Sequence, residues 1–214
     1  MKPDLLVCWI KHCDYPIFRQ FLKKYRNFFG KAIIYWSEHH RHMYYDKFIE
    51  EDLKDFNITF LQNIEYKYGI EDWRNIATNE MLKYSDSEWV CSIEQDWFCK
   101  DWDIFFKWIE TYKDLADLFG WMNLTTNPYI HPACFFIKKE LLNKTSKDFS
   151  PHPEIVGSDH FAQITYDANK LEARVRNLPL NMNVEPNADC FHLGGVNQNY
   201  LEGLKEGIRQ VESV

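Results

Sequence analysis

Trp89-Val90-Cys91-Ser92-Ile93-Glu94-Gln95-Asp96-Trp97-Phe98 opens as a short apolar run and ends in two carboxylates one residue apart. An apolar run of this length reads as a strand buried on both faces. In extended chain, residues two apart point the same way. Glu94 and Asp96 are therefore expected to face one side together at the strand's carboxyl end. That end is where open α/β sheets bind ligands. Two oxygen donors with no Lys or Arg between them suit a hard divalent cation, Mg²⁺ or Mn²⁺. The plain alternative is an acidic turn that closes a strand.

Upstream, Leu5-Leu6-Val7-Cys8-Trp9-Ile10, Ala32-Ile33-Ile34-Tyr35-Trp36 and Asn57-Ile58-Thr59-Phe60-Leu61 read as three more strands. Between the first two, Asp14 and Pro16 start a helix, with Ile17, Phe21, Tyr25 and Phe28 on one face, and Gly30 stops it. A charged amphipathic helix is expected over 43–53. Another is expected over 72–84, capped by Asp72 and carrying Arg74, with Asn75 and Asn79 on one face. Strands alternating with helices predict a doubly wound, parallel sheet. Ser37-Glu38-His39-His40 places a polar cluster at the carboxyl end of the second strand. His39, His40 and His42 lack the separated spacing of a zinc site and read as a polar loop.

Downstream, an aromatic helix is expected over 101–119, with Trp102, Phe105, Phe106, Ile109 and Tyr112 in its pattern. Residues 120–124 and 133–137 read as strands separated by a loop holding Pro128 and Pro132. A short helix over 138–143, a helix from Gly157-Ser158-Asp159 to 169, a strand over 173–178 and a closing helix over 197–210 complete the pattern. No linker or repeat interrupts it. One domain over 1–214 is expected, its nucleotide half about 1–98 and its acceptor half about 99–214.

The 214 residues suffice for a sizeable core, and 45% hydrophobic content is that of a globular chain. A net charge of −7 argues against a broad nucleic-acid surface, which needs excess Lys and Arg. The pairs Lys23-Lys24 and Lys138-Lys139 are too short to make one and read as solvated. Six cysteines, at 8, 13, 91, 99, 134 and 190, form no CxxC pair and lie partly in apolar runs. They are expected to be reduced, buried thiols of a cytoplasmic protein. The apolar run before Lys11 is short for a signal peptide, and no stretch reaches the length of a membrane span.

Four motifs in chain order resemble the GT-A-fold nucleotide-sugar-dependent glycosyltransferases. Ile93-Glu94-Gln95-Asp96 resembles their DXD signature. Ala133-Cys134-Phe135-Phe136-Ile137-Lys138-Lys139-Glu140-Leu141-Leu142 resembles the strand and helix beneath the transferred sugar. Gly157-Ser158-Asp159-His160-Phe161 resembles the acidic motif that supplies a base in inverting members. Phe191-His192-Leu193-Gly194-Gly195 resembles the C-terminal segment whose His completes metal coordination. The resemblance implies an α/β GT-A (Rossmann-like) fold. Its central, mostly parallel sheet would be flanked by helices, with a small additional antiparallel sheet in the acceptor half. It also implies a metal-dependent transferase moving a sugar from a UDP-sugar to an acceptor hydroxyl, with inversion.

Under that resemblance each residue has a chemical task. Asp96, with His192 and Glu94, would hold Mn²⁺ or Mg²⁺ against the diphosphate, whose charge grows as the glycosidic bond breaks. A histidine nitrogen favours Mn²⁺. Gly194 and Gly195 would let backbone N–H groups approach phosphate oxygens, and Arg74 would pair with the diphosphate. Glu38 would accept from a uracil N3–H, and Asp14 is better read as a helix cap. Asp159 would take the acceptor proton, although Asp is also a preferred N-cap. Suitable acceptors are a saccharide, a lipid-linked or small-molecule hydroxyl, or a hydroxyl on a modified nucleobase in DNA. A retaining transferase, a nucleotidyltransferase and a non-catalytic carbohydrate-binding relative are the alternatives. The second usually needs a glycine-rich phosphate loop after the first strand, where this chain has Lys11-His12-Cys13-Asp14.

Overall fold

Alternate residues of each buried run enter two different cores. Leu5, Val7, Ala32, Ile34, Trp89, Cys91 and Ile93 lie in one, while Leu6, Ile33, Tyr35 and Val90 lie in the other. Such alternation requires strands covered on both faces. The computed structural model describes residues 2–9, 25–36, 58–62, 73–94, 97–99, 101–124, 126–155, 158–179 and 190–192. Among them, β1 (Asp4–Trp9), a 3₁₀ turn (Arg26–Phe28), β2 (Ala32–Trp36), β3 (Ile58–Gln62), α1 (Trp73–Leu82), β4 (Trp89–Ile93) and β5 (Trp97–Cys99) make up the first half. Then come α2 (Trp102–Leu115), β6 (Leu118–Asn123), β7 (Tyr129–Lys138), α3 (Lys139–Leu142), α4 (Ala162–Lys170), β8 (Val175–Asn177) and β9 (Cys190–His192). The expected helices after β1, over 43–53 and over 197–210 fall largely or wholly outside the described residues.

Seven strands form one sheet in the order β3-β2-β1-β4-β7-β6-β8, and β5 and β9 form a second, antiparallel pair. β1 runs parallel to β2 and β4, β2 to β3, and β6 to β8, whereas β7 is antiparallel to β4 and β6. The helix α2 covers one face with Trp102, Phe105, Phe106 and Ile109. Its first turn is capped by Asp101, which accepts from the Ile104 N–H at 2.9 Å. Met81 of α1 and Ile164 and Ala168 of α4 cover the other face. Every residue of β7 except Lys138 is buried, as suits a strand with neighbours on both sides and helices on both faces.

A buried carboxylate ties the start of β1 to its surroundings. Asp4 accepts from the backbone N–H groups of Lys31, Asp86 and Ser87 and from the Ser85 hydroxyl. These bonds satisfy a charge that burial would otherwise penalise.

Several boundaries differ from expectation for physical reasons. α2 ends at Leu115, not 119, because Ala116 leaves the helical region and Phe119 is used in β6, its ring stacked on Phe136 at 5.0 Å. β7 starts at Tyr129 and runs through Pro132, which was expected in a loop. Between Gly120 and Met122 the β6–β7 register shifts, so two steps on β6 span the five from Ile130 to Phe135. Pro132, which has no N–H to donate, sits in that irregularity. α4 begins at Ala162, not at 157–159. Lys138 is not merely solvated: it reaches Asp117 at 2.7 Å.

The cysteines also differ. Cys8, Cys91 and Cys134 are thiols, and burial pushes the Cys91 and Cys134 groups upward. Cys99, however, is disulfide-bonded. The expectation that all six were reduced is corrected there; in the ladder the Cys99 backbone stands opposite that of Cys190, a proximity that sequence separation hides.

Candidate active site

The strand directions gather the carboxyl ends of β1, β2, β3, β4, β6 and β8 along one edge, and β7 enters the sheet from that edge. Glu94 stands just past β4, its N–H donating to the Ala133 carbonyl at 2.9 Å. It helps line a pocket with Leu6, Cys8, Thr78, Ser92 and Phe161. This is the position where an open α/β sheet binds ligands.

The extended geometry that would point Glu94 and Asp96 to one side stops at Ile93. The Trp97 N–H donates to the Glu94 carbonyl at 3.0 Å, so Glu94 itself stands outside the strand ladder of β4. Asp96 itself lies outside the described residues, as do Glu38, Asp14, Gly194 and Gly195. Arg74 falls in the first turn of α1. Asn79 Nδ2 donates to the Asn75 side chain and to the Lys147 carbonyl, and Asn75 Oδ1 accepts from the Phe149 N–H. That pair braces α1 against the segment after α3.

Asp159 is held from three directions. Its N–H donates to the Tyr129 hydroxyl at 3.0 Å, and Asn123 Nδ2 donates to the same hydroxyl at 3.1 Å. Its Oδ1 accepts from the His160 N–H at 2.7 Å. Its Oδ2 lies 3.4 Å from His131 Nε2. The Asp159 side chain is 42% exposed, while His131 and Tyr129 are buried. Asp159 does not cap α4, whose N-cap is Phe161, with a left-handed φ of 71° and no side-chain capping bond.

Aromatic contacts join this carboxylate to β5. Trp121 lies 4.3 Å from the His131 ring and 5.9 Å from the Trp97 ring, centroid to centroid. Trp97 in turn pairs with His192 in the β5–β9 ladder, where only the backbone of His192 is described. Among the described residues, no group of three or more His, Cys, Asp or Glu side chains forms a metal site.

His131 and Tyr129 were missed because Pro128 and Pro132 marked their segment as loop. The available signal was the period-two pattern of Tyr129, His131 and Ala133, which continues through Pro132.

Across the whole chain, a mannosyltransferase from Pyrobaculum calidifontis, solved with GDP-Man and Mn2+, superposes with a TM-score of 0.58 at 14% identity. The match covers 100% of this chain and 64% of that one. The chain has the GT-A fold. The same GT-A core matches a glycosyltransferase involved in glycosylating the major capsid of PBCV-1, at 11% identity, full coverage of both chains and a TM-score of 0.52. It also matches the inositol-1-phosphate CTP transferase of T. maritima, at 10% identity, 96% coverage of each chain and a TM-score of 0.53. No family model matches the sequence. No curated protein matches it either. The GT-A chain thus shares its architecture with both glycosyltransferases and nucleotidyltransferases. No described helix is long and apolar enough to cross a membrane.

Proposed function

We propose that this chain is a metal-dependent glycosyltransferase acting on a UDP-sugar, with Asp159 as the general base of an inverting transfer. The observation that carries the reading is that Asp159 is a half-exposed carboxylate anchored by Tyr129 and His131 and relieved of any capping duty. A side chain held this way without serving the helix is suited to chemistry. In the proposed step the acceptor oxygen attacks the anomeric carbon and its proton passes to Asp159. The bond to the diphosphate breaks, and the electron pair leaves with the nucleotide. Residues up to about 98 would bind the nucleotide, and those beyond would present the acceptor.

A cation is proposed beside β5. The reading is supported by the β5–β9 ladder, which sets the backbone of His192 opposite that of Trp97, the residue after Asp96 in the sequence. Asp96 and His192 would hold the ion, Glu94 would stand beside it, and Gly194, Gly195 and Arg74 would meet the phosphates. When bound, the ion would act as a Lewis acid toward the charge developing on the diphosphate. Glu38 would read the uracil edge. The P. calidifontis enzyme, bound to GDP-Man and Mn2+, supports a nucleotide sugar and a metal as the ligands to try first.

A nucleotidyltransferase is the second reading, favoured by the near-complete mutual coverage with the T. maritima enzyme. Incubation with Mn²⁺ and UDP-glucose, UDP-galactose, UDP-GlcNAc or GDP-mannose, with UDP or GDP release as the readout, tests the first. Pyrophosphate release from nucleoside triphosphates with sugar phosphates tests the second. Nucleoside diphosphate release supports the transferase, and pyrophosphate release alone overturns it. NMR of the product's anomeric configuration decides inversion. A cytoplasmic enzyme would carry the Cys99 disulfide into a reducing compartment, where such bonds are rare, and mass spectrometry without reduction reports its state.

A further inference from the structure

We infer that His131 is a positioning residue whose Nε2–H holds the Asp159 carboxylate in the orientation from which it takes the acceptor proton. The inference rests on the reading of Asp159 as the base, and it adds how that base is aimed.

The argument starts from the other ring nitrogen. His131 Nδ1 lies 3.1 Å from the Ala133 backbone nitrogen and accepts its N–H. A backbone N–H can only donate, so Nδ1 carries no proton. The single proton of the neutral ring is then on Nε2, which faces Asp159 Oδ2 at 3.4 Å. The tautomer is set by the hydrogen bond made at the far nitrogen. The distance is long for a hydrogen bond, as catalytic contacts often are before substrate tightens them. Trp121, 4.3 Å from the ring, limits how far the imidazole can swing.

Further anchors hold the Asp159 backbone and its other carboxylate oxygen. The Tyr129 hydroxyl, on a ring that is 1% exposed, fixes the Asp159 backbone, and Asn123 braces that hydroxyl. The His160 N–H engages Oδ1. His131 bears on the rotation of the carboxylate through Oδ2, the oxygen that the His160 N–H does not engage. The geometry makes His131 a neutral donor and not a cationic partner, since a protonated ring would turn a second N–H against that of Ala133. A neutral donor of similar reach should therefore replace it.

The test has two arms. In protein labelled with ¹⁵N-histidine, long-range ¹H–¹⁵N correlation reports the tautomer of His131, assigned by the signal missing from His131→Gln. The expected result is an Nε2–H tautomer whose Nε2 resonance moves in Asp159→Ala. In the second arm, nucleoside diphosphate release is measured on the four-donor panel with Mn²⁺. His131→Phe should lower kcat about 10-fold or more with donor KM within about 2-fold, and His131→Gln should stay within about 3-fold of the parent. In an Asp159→Asn background, His131→Phe should add less than about 2-fold, because both changes then act on one function.

An Nδ1–H tautomer, or an Nε2 resonance unmoved by Asp159→Ala, overturns the inference. Equal losses from His131→Phe with and without Asp159→Asn do the same. Undiminished turnover in Asp159→Asn removes the base instead, while the NMR arm still decides whether His131 holds Asp159. Should His131→Phe fail to fold, as judged by circular dichroism, a His131→Gln protein that folds but is as slow as Asp159→Asn overturns the inference.

Discussion

His192 stands directly opposite Trp97 in an antiparallel ladder, and Trp97 is the residue after Asp96. Nearly a hundred residues of chain separate the two positions, so this pairing is a product of the fold alone. It sets the backbone of β9 beside that of β5, and the metal site proposed on Asp96 and His192 can be tested directly. UDP affinity, measured by titration calorimetry, should rise when Mn²⁺ replaces EDTA. Asp96→Ala should abolish that increment with the fold intact, and His192→Ala should reduce it. Equal UDP affinity under both conditions in the parent would remove the metal from the site.

Asp159→Asn separates chemistry from architecture. The α4 N-cap is Phe161, and the bond to the Tyr129 hydroxyl is donated by the Asp159 backbone N–H, which the substitution keeps. The melting temperature should stay near that of the parent while turnover falls roughly 10²–10⁴-fold. A melting temperature reduced in step with activity would return the residue to a structural role.

Glu38, beyond the second strand, is proposed to read a uracil edge. Glu38→Ala should weaken UDP binding by about tenfold, the scale of one charge-assisted hydrogen bond, and leave GDP binding nearly unchanged. Matching losses for both nucleotides, seen by calorimetry, would make the residue a general solvated carboxylate.

Gly120 lies where β6 presses on β7. A Cβ there would overlap the Cys134 carbonyl oxygen and sit 2.8 Å from Phe135 Cα and 2.9 Å from Ile130 Cγ2. Two of these atoms are backbone and cannot rotate away. Gly120→Ala should cost about 1–3 kcal/mol of stability by chemical denaturation. Trp121 is its neighbour, so near-UV circular dichroism should change as well. An unaltered denaturation midpoint would show that the strands separate without penalty.

Asp117 binds Lys138 at 2.7 Å and Arg174 through Nη2 at 2.9 Å and Nε at 3.0 Å, joining β6, β7 and the start of β8. The Arg174 guanidinium first, and Lys138 with it, hold its carboxyl well below the usual carboxylate range despite some opposing burial. A depressed folded-state value means the stabilisation is complete above the unfolded value of about 4 and is lost as pH falls toward the folded one. The melting-temperature gap between the parent and Asp117→Asn should therefore be widest near neutrality and shrink below about pH 4. A gap independent of pH would show that the carboxylate's charge contributes nothing.

By itself, the sequence determined the class of this fold. Apolar runs at 5–10, 32–36 and 57–61 alternate with helical periodicity, and each became a parallel strand within a residue of its expected bounds, while the strand expected to end in Glu94-Gln95-Asp96 is parallel to β1 but stops at Ile93. Hydrophobic period is a local property, and it survives folding because burial rewards it directly. That the carboxyl end of β4 shares one edge with those of β1, β2 and β3 was likewise legible, since it follows from strand direction. Tertiary structure decided the rest, because it depends on which chain lies next to which. Phe119 belongs to β6 and not to α2, for its stacking partner is Phe136 on the neighbouring strand. β4 stops at Ile93 and the Trp97 N–H donates back to the Glu94 carbonyl, and nothing in an acidic tripeptide announces that bond. His131 and Tyr129, hidden among prolines, reach Asp159 only because an irregular β6–β7 register carries Pro132 through the sheet. Contacts between residues about thirty apart leave no period in a sequence, and those contacts are what turn a candidate helix cap into a held carboxylate.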